Sequence, residues 1–329
     1  SALKHADISV GLGLKTAGGL PRTLRGRFLV PPFSVLDARQ AYWQERKRAW
    51  LSIGLRGEIG RGNQLTYHGG RASLPREPRP RGAAPPDEND FREKMLAPGG
   101  TSVFDPVLCE LAYTWFCPAG GAVLDPFAGG SVRGIVAAAT GRHYFGVDLS
   151  EPQVVANFQQ WSEVRPKLPP EAYPPKWIVG DAKDLGRLAP PALYDCVFSC
   201  PPYYDLEKYS KDPRDLSNMS YPNFLTSYRV IVAACLDLLR DDRFAAFVVG
   251  DVRGEDGYYR DLVGETVRAF AAAGGRLYNQ AVLVTMTATL GLRTSYYFTK
   301  SRKLGTGHQH LLIFAKGDAK KAVEACEPT

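Results

Sequence analysis

The stretch "FSCPPYYDLEKYS" (198–210) combines residue types that could form a reactive site. Two consecutive prolines, Pro201 and Pro202, follow an apolar run, and a tyrosine pair follows the prolines. Because proline has no backbone N–H group and a fixed φ angle, this segment cannot continue as a paired central strand, and its carbonyl groups remain free to accept hydrogen bonds. Cys200 and Tyr203 flank the same two prolines. The pattern therefore predicts a strand that ends in a fixed turn with a free acceptor, a thiol and an aromatic ring.

A second candidate site lies in "VLDPFAGGSVRG" (123–134), which predicts a strand, a glycine turn and a helix. Gly129 and Gly130 let the backbone approach a ligand closely, and the helix that follows offers free N–H groups. The stretch matches neither the G-x-G-x-x-G pattern of dinucleotide sites nor the G-K-[ST] end of a P-loop. We expect a different cofactor here, with Asp148 accepting both hydroxyls of a ribose and Asp181 meeting an adenine edge.

These residues fall at the ends of predicted strands. From about Gly99 onward, short β-branched strands alternate with amphipathic helices, which is typical of an open, doubly wound, mostly parallel α/β sheet. In such sheets the ligand lies beyond the carboxyl ends of the strands. The predicted strands are 122–127, 143–148, 176–181, 194–199, 244–252, 276–285 and 311–317. We therefore expect four strand ends to converge on one crevice: Asp125, Asp148, Asp181 and Ser199-Cys200.

The net charge of +7 is concentrated in the first third of the chain. Residues 1–100 hold 17 Lys and Arg against 9 Asp and Glu, an excess of eight, which leaves the remaining residues at −1. A localised positive field attracts polyanions, most commonly nucleic acid, although a solubilising arm would have the same composition. The candidate DNA-binding residues form two basic clusters: Arg46, Lys47 and Arg48, and Lys300, Arg302 and Lys303.

The motifs together resemble those of the S-adenosylmethionine-dependent DNA methyltransferases that act on exocyclic amino groups. That family carries D-P-F-x-G-x-G for the cofactor and [DNS]-P-P-[YF] for catalysis, and this chain has "LDPFAGG", "GVDLS", "VGDAKD" and "SCPPYYD" in the same order. The resemblance covers residues 99 to about 317 and implies the class I (Rossmann-like) methyltransferase fold. It further implies S-adenosylmethionine as cofactor, DNA as partner and direct transfer to a flipped base. The implied cofactor residues are Thr101, Ser102, Phe104, Asp125, Phe127, Gly129, Gly130, Asp148 and Asp181, and the implied catalytic residues are Cys200, Pro201, Pro202 and Tyr203.

The sequence departs from the family pattern at two positions. Ser131 replaces the last loop glycine, and Cys200 replaces the usual Asp, Asn or Ser. A thiol is a weak acceptor for the target amino group. Cys200 is closest in size to Ser, and the resulting likeness to the Ser-P-P-Y form of the motif favours cytosine N4 over adenine N6. The alternatives left open are RNA or protein amino- or amide-group methylation, cytosine C5 methylation through a Cys200 thiolate, and a non-catalytic DNA-binding protein with a decayed methyltransferase fold.

The sequence predicts four regions: a basic region with short helices (1–70), a Pro/Arg-rich linker (71–98), the catalytic domain (99–317) and a C-terminal tail (318–329). We expect a cytoplasmic protein of a bacterium or of a phage-infected host, because the apolar runs are too short to cross a bilayer and the six cysteines show no C-x-x-C pairing. We expect no metal, since His308 and His310 of "HQH" are more typical of surface histidines. A homodimer remains open.

Overall fold

The computed structural model describes residues 23–56, 104–190, 193–204, 210, 212–254, 256–285 and 290–326. The first half of the described chain contains α1 (Leu24–Phe28), β1 (Val35–Asp37), α2 (Ala41–Ser52), α3 (Pro106–Phe116), β2 (Ala122–Asp125), α4 (Val132–Ala139), β3 (His143–Asp148), α5 (Glu151–Val164) and β4 (Lys176–Val179). The second half contains α6 (Leu185–Leu188), β5 (Tyr194–Ser199), α7 (Tyr221–Leu238), β6 (Leu239–Val249), α8 (Leu262–Ala272), β7 (Arg276–Val284), α9 (Leu290–Ser301), β8 (His308–Lys316) and α10 (Ala319–Cys326).

Within these ranges, eight strands form one sheet in the order β1-β7-β8-β6-β5-β2-β3-β4. Every neighbouring pair is parallel except the two pairs that involve β8, which runs antiparallel to β6 and β7. The predicted mostly parallel, open sheet is confirmed, and all seven predicted strands are present. The parallel strands end at one side of the sheet, which we call the carboxyl edge; the turns after β2, β3, β4, β5, β6 and β7 all lie there.

The sheet is covered by helices on both faces because its central strands bury both sides. In β6, alternate residues enter different hydrophobic clusters: Phe244 and Ala246 pack on one face, Ala245 and Phe247 on the other. The first cluster receives side chains from α2, α3, α4, α5 and α10, and the second from α6, α7 and α8. Continuous apolar strands of this kind are what a sheet buried on both faces requires.

The N-terminal region packs onto the rest of the described chain through α2 and β1. Trp43 and Trp50 are fully buried against α3, and their indole N–H groups donate to Asp105 at 3.2 Å and to Glu110 at 2.9 Å. Strand β1 pairs with β7 in parallel, with Val35 opposite Val282. Residues 23–56 are therefore part of the core structure rather than a separate basic region, while the linker predicted at 71–98 lies outside the described residues.

One further prediction is corrected at the other end of the chain. The segment expected to be a tail after residue 317 forms α10, whose Ala322 is buried against the sheet. A short amphipathic helix such as α10 buries an apolar stripe that is too brief to distinguish from a polar tail by composition.

Candidate active site

The carboxyl edge brings the predicted site residues to neighbouring strand ends. Strands β4, β3, β2 and β5 are adjacent, with Asp148 opposite Val179 and Leu124 opposite Val197. The glycine turn, Asp148, Asp181 and the Cys200–Tyr203 turn therefore follow four neighbouring strands. The predicted strand ends are therefore neighbours at one edge of the sheet.

Asp148 is hydrogen-bonded to the glycine turn. Its Oδ2 accepts from the N–H of Gly129 at 2.8 Å, and its Oδ1 accepts from the N–H of Ser150 at 2.8 Å. Gly129 has a φ angle of 52°, in the left-handed region that glycine adopts without steric cost. The Asp148 carboxylate is half-buried, so it is fixed beside the turn and still reaches the surface of the site.

Side chains of helix α5 hydrogen-bond to the glycine turn. Asn157 donates from Nδ2 to the carbonyl of Gly129 at 2.8 Å, and Gln153 donates from Nε2 to Asn157 Oδ1 at 2.9 Å. The Ser131 hydroxyl bonds to Gln160 Oε1. Ser131, which departs from the family pattern, thus ties the turn to α5. Sequence reasoning missed these amides; the available signal was that Gln153, Asn157 and Gln160 follow one another at helical spacing.

Asp125 is buried and accepts hydrogen bonds from several protein groups, so it does not face a ligand. Its side chain is 0% exposed, and its Oδ2 accepts from Arg133 Nε at 2.6 Å and from Tyr144 Oη at 2.7 Å. Its Oδ1 accepts from Ser199 Oγ at 2.6 Å and from the N–H of Phe127 at 3.1 Å. This environment corrects the expectation that Asp125 contacts the cofactor, because protein donors surround the carboxylate.

Arg133 completes this buried network beneath the turn. Its Nη2 donates to the carbonyls of Ala128, at 2.9 Å, and Phe127, and its guanidinium carbon lies 4.6 Å from the centre of the Phe104 ring. Burial acts to lower the pKa of Arg133, but the interactions with Asp125, Tyr144 and Cys200 together outweigh burial and hold the pKa above its usual value. The side chain therefore stays charged, and it connects the turn to the segment that begins at Phe104.

The remaining predicted cofactor residues are only partly described. Asp181 caps the short turn after β4: its Oδ1 accepts from the N–H of Lys183 at 2.9 Å, and its Oδ2 lies 3.3 Å from Lys183 Nζ. Phe127 lies in the glycine turn, partly buried with its ring 6.5 Å from that of Tyr228. Thr101 and Ser102 lie outside the described residues.

The turn after β5 holds Tyr203 in a fixed position. The Tyr203 hydroxyl accepts a hydrogen bond from Gln309 Nε2 at 2.7 Å and lies 3.4 Å from Cys200 Sγ. One side of the ring lies against Gly250, where an added Cβ would come within 3.1 Å of Tyr203 Cε2. Pro201 is buried. Gln309 was missed by sequence reasoning, although it stands inside the "HQH" stretch that drew attention for its histidines.

Arg133 lies near Cys200, close enough for Cys200 to influence the pKa of Arg133. Arg133 is already paired with Asp125 at 2.6 Å, so the cation and the carboxylate act together as a neutral pair. A cation that is already paired stabilises a neighbouring thiolate less than an unpaired cation does, so the contact with Arg133 gives Cys200 little of the activation that a nucleophilic cysteine needs.

The first basic cluster serves packing more than an outer surface. Arg46 pairs with Glu110, and its side chain is only 13% exposed; Lys47 Nζ lies 3.0 Å from Asp105 Oδ2. These ion pairs correct the expectation that Arg46 and Lys47 face DNA. Arg48 is exposed.

The second basic cluster lies at the carboxyl edge. Lys300 and Arg302 are exposed, and the half-buried Lys303 lies against Gly257, where an added Cβ would come within 2.8 Å of its Nζ. This placement puts the cluster on the side of the sheet where Tyr203 lies.

A search of the described residues found no group of three or more His, Cys, Asp and Glu side chains that could hold a metal ion. His308 and His310 have ring centres 5.2 Å apart, and His310 Nδ1 bonds to Gln280 Nε2 at 2.9 Å. Among the helices described, none is long and apolar enough to span a membrane.

Comparisons with known proteins give structural likeness only. No family model matches the chain, and no curated protein matches it. Solved structures that match include TrmN from Thermus thermophilus (16% identity, 65% of this chain, 49% of that chain, TM-score 0.43). Magnesium protoporphyrin IX methyltransferase from Synechocystis PCC 6803 matches with 14% identity over 61% of this chain and 71% of that one, TM-score 0.39. A putative RNA methyltransferase from Pyrococcus horikoshii matches with 14% identity over 65% and 81%, TM-score 0.41.

The chain thus spans about half the length of the Thermus TrmN that it matches. At these identities and TM-scores the likenesses decide no substrate. The fold assignment depends on the topology itself: an open sheet whose strands are parallel apart from β8, with helices on both faces. The described part of the chain is an open, doubly wound, mostly parallel α/β sheet, as the sequence predicts.

Proposed function

We propose that this protein transfers a methyl group from S-adenosylmethionine to an exocyclic amino group of a DNA base, with cytosine N4 favoured over adenine N6. The observation that carries the proposal is the bond from Ser199 Oγ to Asp125 Oδ1 at 2.6 Å. Ser199 ends the strand that leads to Cys200–Tyr203, and Asp125 ends the strand that leads to the glycine turn. The bond therefore joins the turn proposed to hold the cofactor to the turn proposed to hold the base.

The residues at the edge fit this cofactor. A half-buried carboxylate beside a glycine turn suits a ribose, and Asp148 would hold the two ribose hydroxyls. Asp181 would lie toward the adenine, next to Asp148 through the β3–β4 pairing. Phe127, Gly130 and Phe104 would line the same site, with Arg133 fixing the turn from below. When bound, the cofactor supplies a methyl group made electrophilic by its sulfonium.

The turn after β5 would hold the acceptor base. Tyr203 has one side of its ring on Gly250 and its hydroxyl fixed by Gln309, so it offers a rigid plate on which a flipped base can stack. The carbonyl of Pro201, freed from the sheet by the second proline, would accept a hydrogen bond from the amino group. This bond would hold the nitrogen lone pair toward the methyl group that the cofactor would supply, and the amino group would release one proton to solvent.

Alignment supplies most of the acceleration in such a direct transfer. Holding two reactants in line is worth about 7–11 kcal/mol in well-oriented cases. Cys200 acts in this proposal as a small spacer beside Tyr203, 3.4 Å from its hydroxyl. The neutral Arg133–Asp125 pair supports this role over that of a thiolate nucleophile.

The test is nucleoside mass spectrometry of DNA incubated with the purified protein and S-adenosylmethionine. We expect N4-methylcytosine or N6-methyladenine from the wild type and from Cys200→Ser, since serine is a better acceptor of similar size. Tyr203→Ala should lose product while keeping cofactor affinity, because stacking contributes about 1–3 kcal/mol per base.

Two results would contradict the proposal. The first is 5-methylcytosine in the wild type together with an inactive Cys200→Ser, because a hydroxyl cannot replace a thiolate nucleophile. The second is methyl transfer to RNA or to protein in the absence of any transfer to DNA.

A further inference from the structure

The segment between β6 and α8 forms a compact hairpin at the carboxyl edge. Among residues 252–254 and 256–260, the N–H of Arg260 donates to the carbonyl of Val252 at 2.9 Å, and the N–H of Gly254 donates to Tyr258 at 2.9 Å. Arg253 and Tyr259 form an antiparallel bridge. We call these residues the arginine–tyrosine hairpin. These backbone hydrogen bonds hold the segment together as a hairpin beside the turn after β5.

The hairpin exposes aromatic rings. Tyr258 is 76% exposed and Tyr259 is 48% exposed. The guanidinium carbon of Arg253 lies 3.8 Å from the centre of the Tyr259 ring, and Arg253 Nη1 donates to the carbonyl of Gly257 at 3.0 Å. Exposed aromatic rings interleaved with arginine are typical of surfaces on which nucleic-acid bases stack.

Among the described residues, no acid forms a salt bridge with Arg260. Its Nε is buried and makes no hydrogen bond within the part of the chain that the structure describes. Its guanidinium lies 5.4 Å from the centre of the Tyr221 ring and against Gly254, where an added Cβ would come within 2.4 Å of it. A half-buried guanidinium held between a ring and a glycine is positioned to bind an anionic oxygen, for which its planar fork is suited.

The hairpin adjoins the turn after β5. It begins two residues after Gly250, on which the Tyr203 ring lies, and Lys303 lies against its Gly257. The Tyr221 ring beneath Arg260 also contacts the ring of Tyr204, at 5.1 Å between centres, which directly follows Tyr203.

The described acids of this region are bonded to groups other than Arg260. Asp256 accepts from the N–H of Tyr258 at 3.1 Å, and Asp251 accepts from the N–H of Val263 at 3.5 Å. Asp261 and Glu265 pair with Arg268, at 2.7 Å and 2.9 Å. The three cations Arg253, Arg260 and Lys303 therefore stand against the two acids Asp251 and Asp256, which leaves the described part of this region with a net positive charge.

We infer that the arginine–tyrosine hairpin binds the DNA strand that flanks the flipped base, with Tyr258 stacking on a neighbouring base and Arg260 binding a phosphate. The inference rests on the proposed function, since it takes DNA as the substrate held at Tyr203. Charge and aromatic content argue for a single strand, because unpaired bases expose the faces on which rings stack.

The experiment measures fluorescence anisotropy of a labelled 12-nucleotide single-stranded DNA with the full chain. Tyr258→Ala should weaken binding by about 5- to 150-fold, the range for loss of one base stack. Arg260→Gln should weaken binding and reduce the salt slope by about 0.7, as expected for one phosphate contact to a single strand.

The chain offers matched controls at the opposite edge of the sheet. Tyr173 is 41% exposed and stacks on His143, where β3 begins, and Arg240 pairs with Asp195 at 3.3 Å near the start of β6. Tyr173→Ala and Arg240→Gln should bind the oligonucleotide like the wild type. Because Tyr258 is exposed, Tyr258→Ala should also keep the wild-type melting temperature and cofactor affinity.

The outcomes separate this inference from the proposed function. If the wild type methylates DNA, and Tyr258→Ala and Arg260→Gln bind the oligonucleotide as tightly as the wild type does, the role inferred for the hairpin is wrong and the proposed function stands. Hairpin variants that lose binding in a protein that methylates no DNA support the hairpin and overturn the proposed function. Tighter binding of an RNA 12-mer than of the DNA 12-mer overturns the assignment of DNA.

Discussion

Replacing Arg133 with methionine removes the cation of the buried network under the glycine turn. Arg133 is 6% exposed and bonds to Asp125 at 2.6 Å and to the carbonyl of Ala128 at 2.9 Å. Methionine retains much of the apolar volume and removes every donor. Asp125 then remains fully buried with Tyr144 and Ser199 as its side-chain donors.

The magnitude follows from the cost of leaving a buried charge without its partner. Removing one member of a buried ion pair typically costs about 3–5 kcal/mol. Because two hydroxyl donors still bond to Asp125, we expect a loss near the lower end, about 3 kcal/mol in the free energy of unfolding. The glycine turn also loses its anchor, so cofactor affinity should fall as well.

The assay is guanidinium-induced unfolding followed by tryptophan fluorescence, with calorimetric titration of S-adenosylmethionine alongside. Arg229→Met is the matched control: Arg229 lies 2.8 Å from Glu265 and is 52% exposed, so its loss should cost about 0–1 kcal/mol. If Arg133→Met unfolds with the same free energy as this control and binds cofactor like the wild type, the network does not have the role assigned to it.

Three further predictions concern the same edge. Asp148→Ala should bind S-adenosylmethionine more weakly by roughly 1.5–3 kcal/mol for each lost charge-assisted bond, and unchanged affinity in a titration would remove Asp148 from the site. Gly250→Ala should displace the Tyr203 ring, because the new Cβ comes within 3.1 Å of it; turnover should fall while cofactor affinity holds, and unaltered turnover would refute the contact. Burial, followed by the charge of His308, lowers the pKa of His310 below its usual value of 6.5. The unfolded chain therefore binds a proton at a higher pH than the folded chain, and the free energy of unfolding should fall as the pH drops through about 6.5. In His310→Asn the free energy of unfolding should depend less on pH between pH 7.5 and 5.5, and the same dependence as in the wild type would contradict this.

The strand ends could be predicted because local pattern determines them. Asp148 and Cys200 follow short apolar runs, and the parallel alternation of strands and helices brings such ends to one edge. The role of Asp125 could not be predicted in the same way. Its partners Arg133, Tyr144 and Ser199 come from three different elements. Only the packing of these elements buries the Asp125 carboxylate and surrounds it with donors.

The net charge of a segment also does not show which of its cations are exposed to a partner. The excess of basic residues near the N-terminus suggested a surface for DNA, but Arg46 pairs with Glu110, which is buried in α3. A sequence lists cations without showing which acids they meet across 64 residues of chain. The hairpin was missed for a similar reason, because Tyr258 and Arg260 can be recognised as a candidate binding surface only after the fold has placed them near Tyr203.

The most direct test of the central claim is methylation-aware sequencing of DNA from cells that express the wild type, with Tyr203→Ala as the inactive control. Our account predicts N4-methylcytosine or N6-methyladenine at a defined sequence in the wild-type cells and its absence from the control. Unmodified DNA in both, from cells in which the wild-type protein is folded and binds S-adenosylmethionine, would contradict the assignment of DNA as substrate.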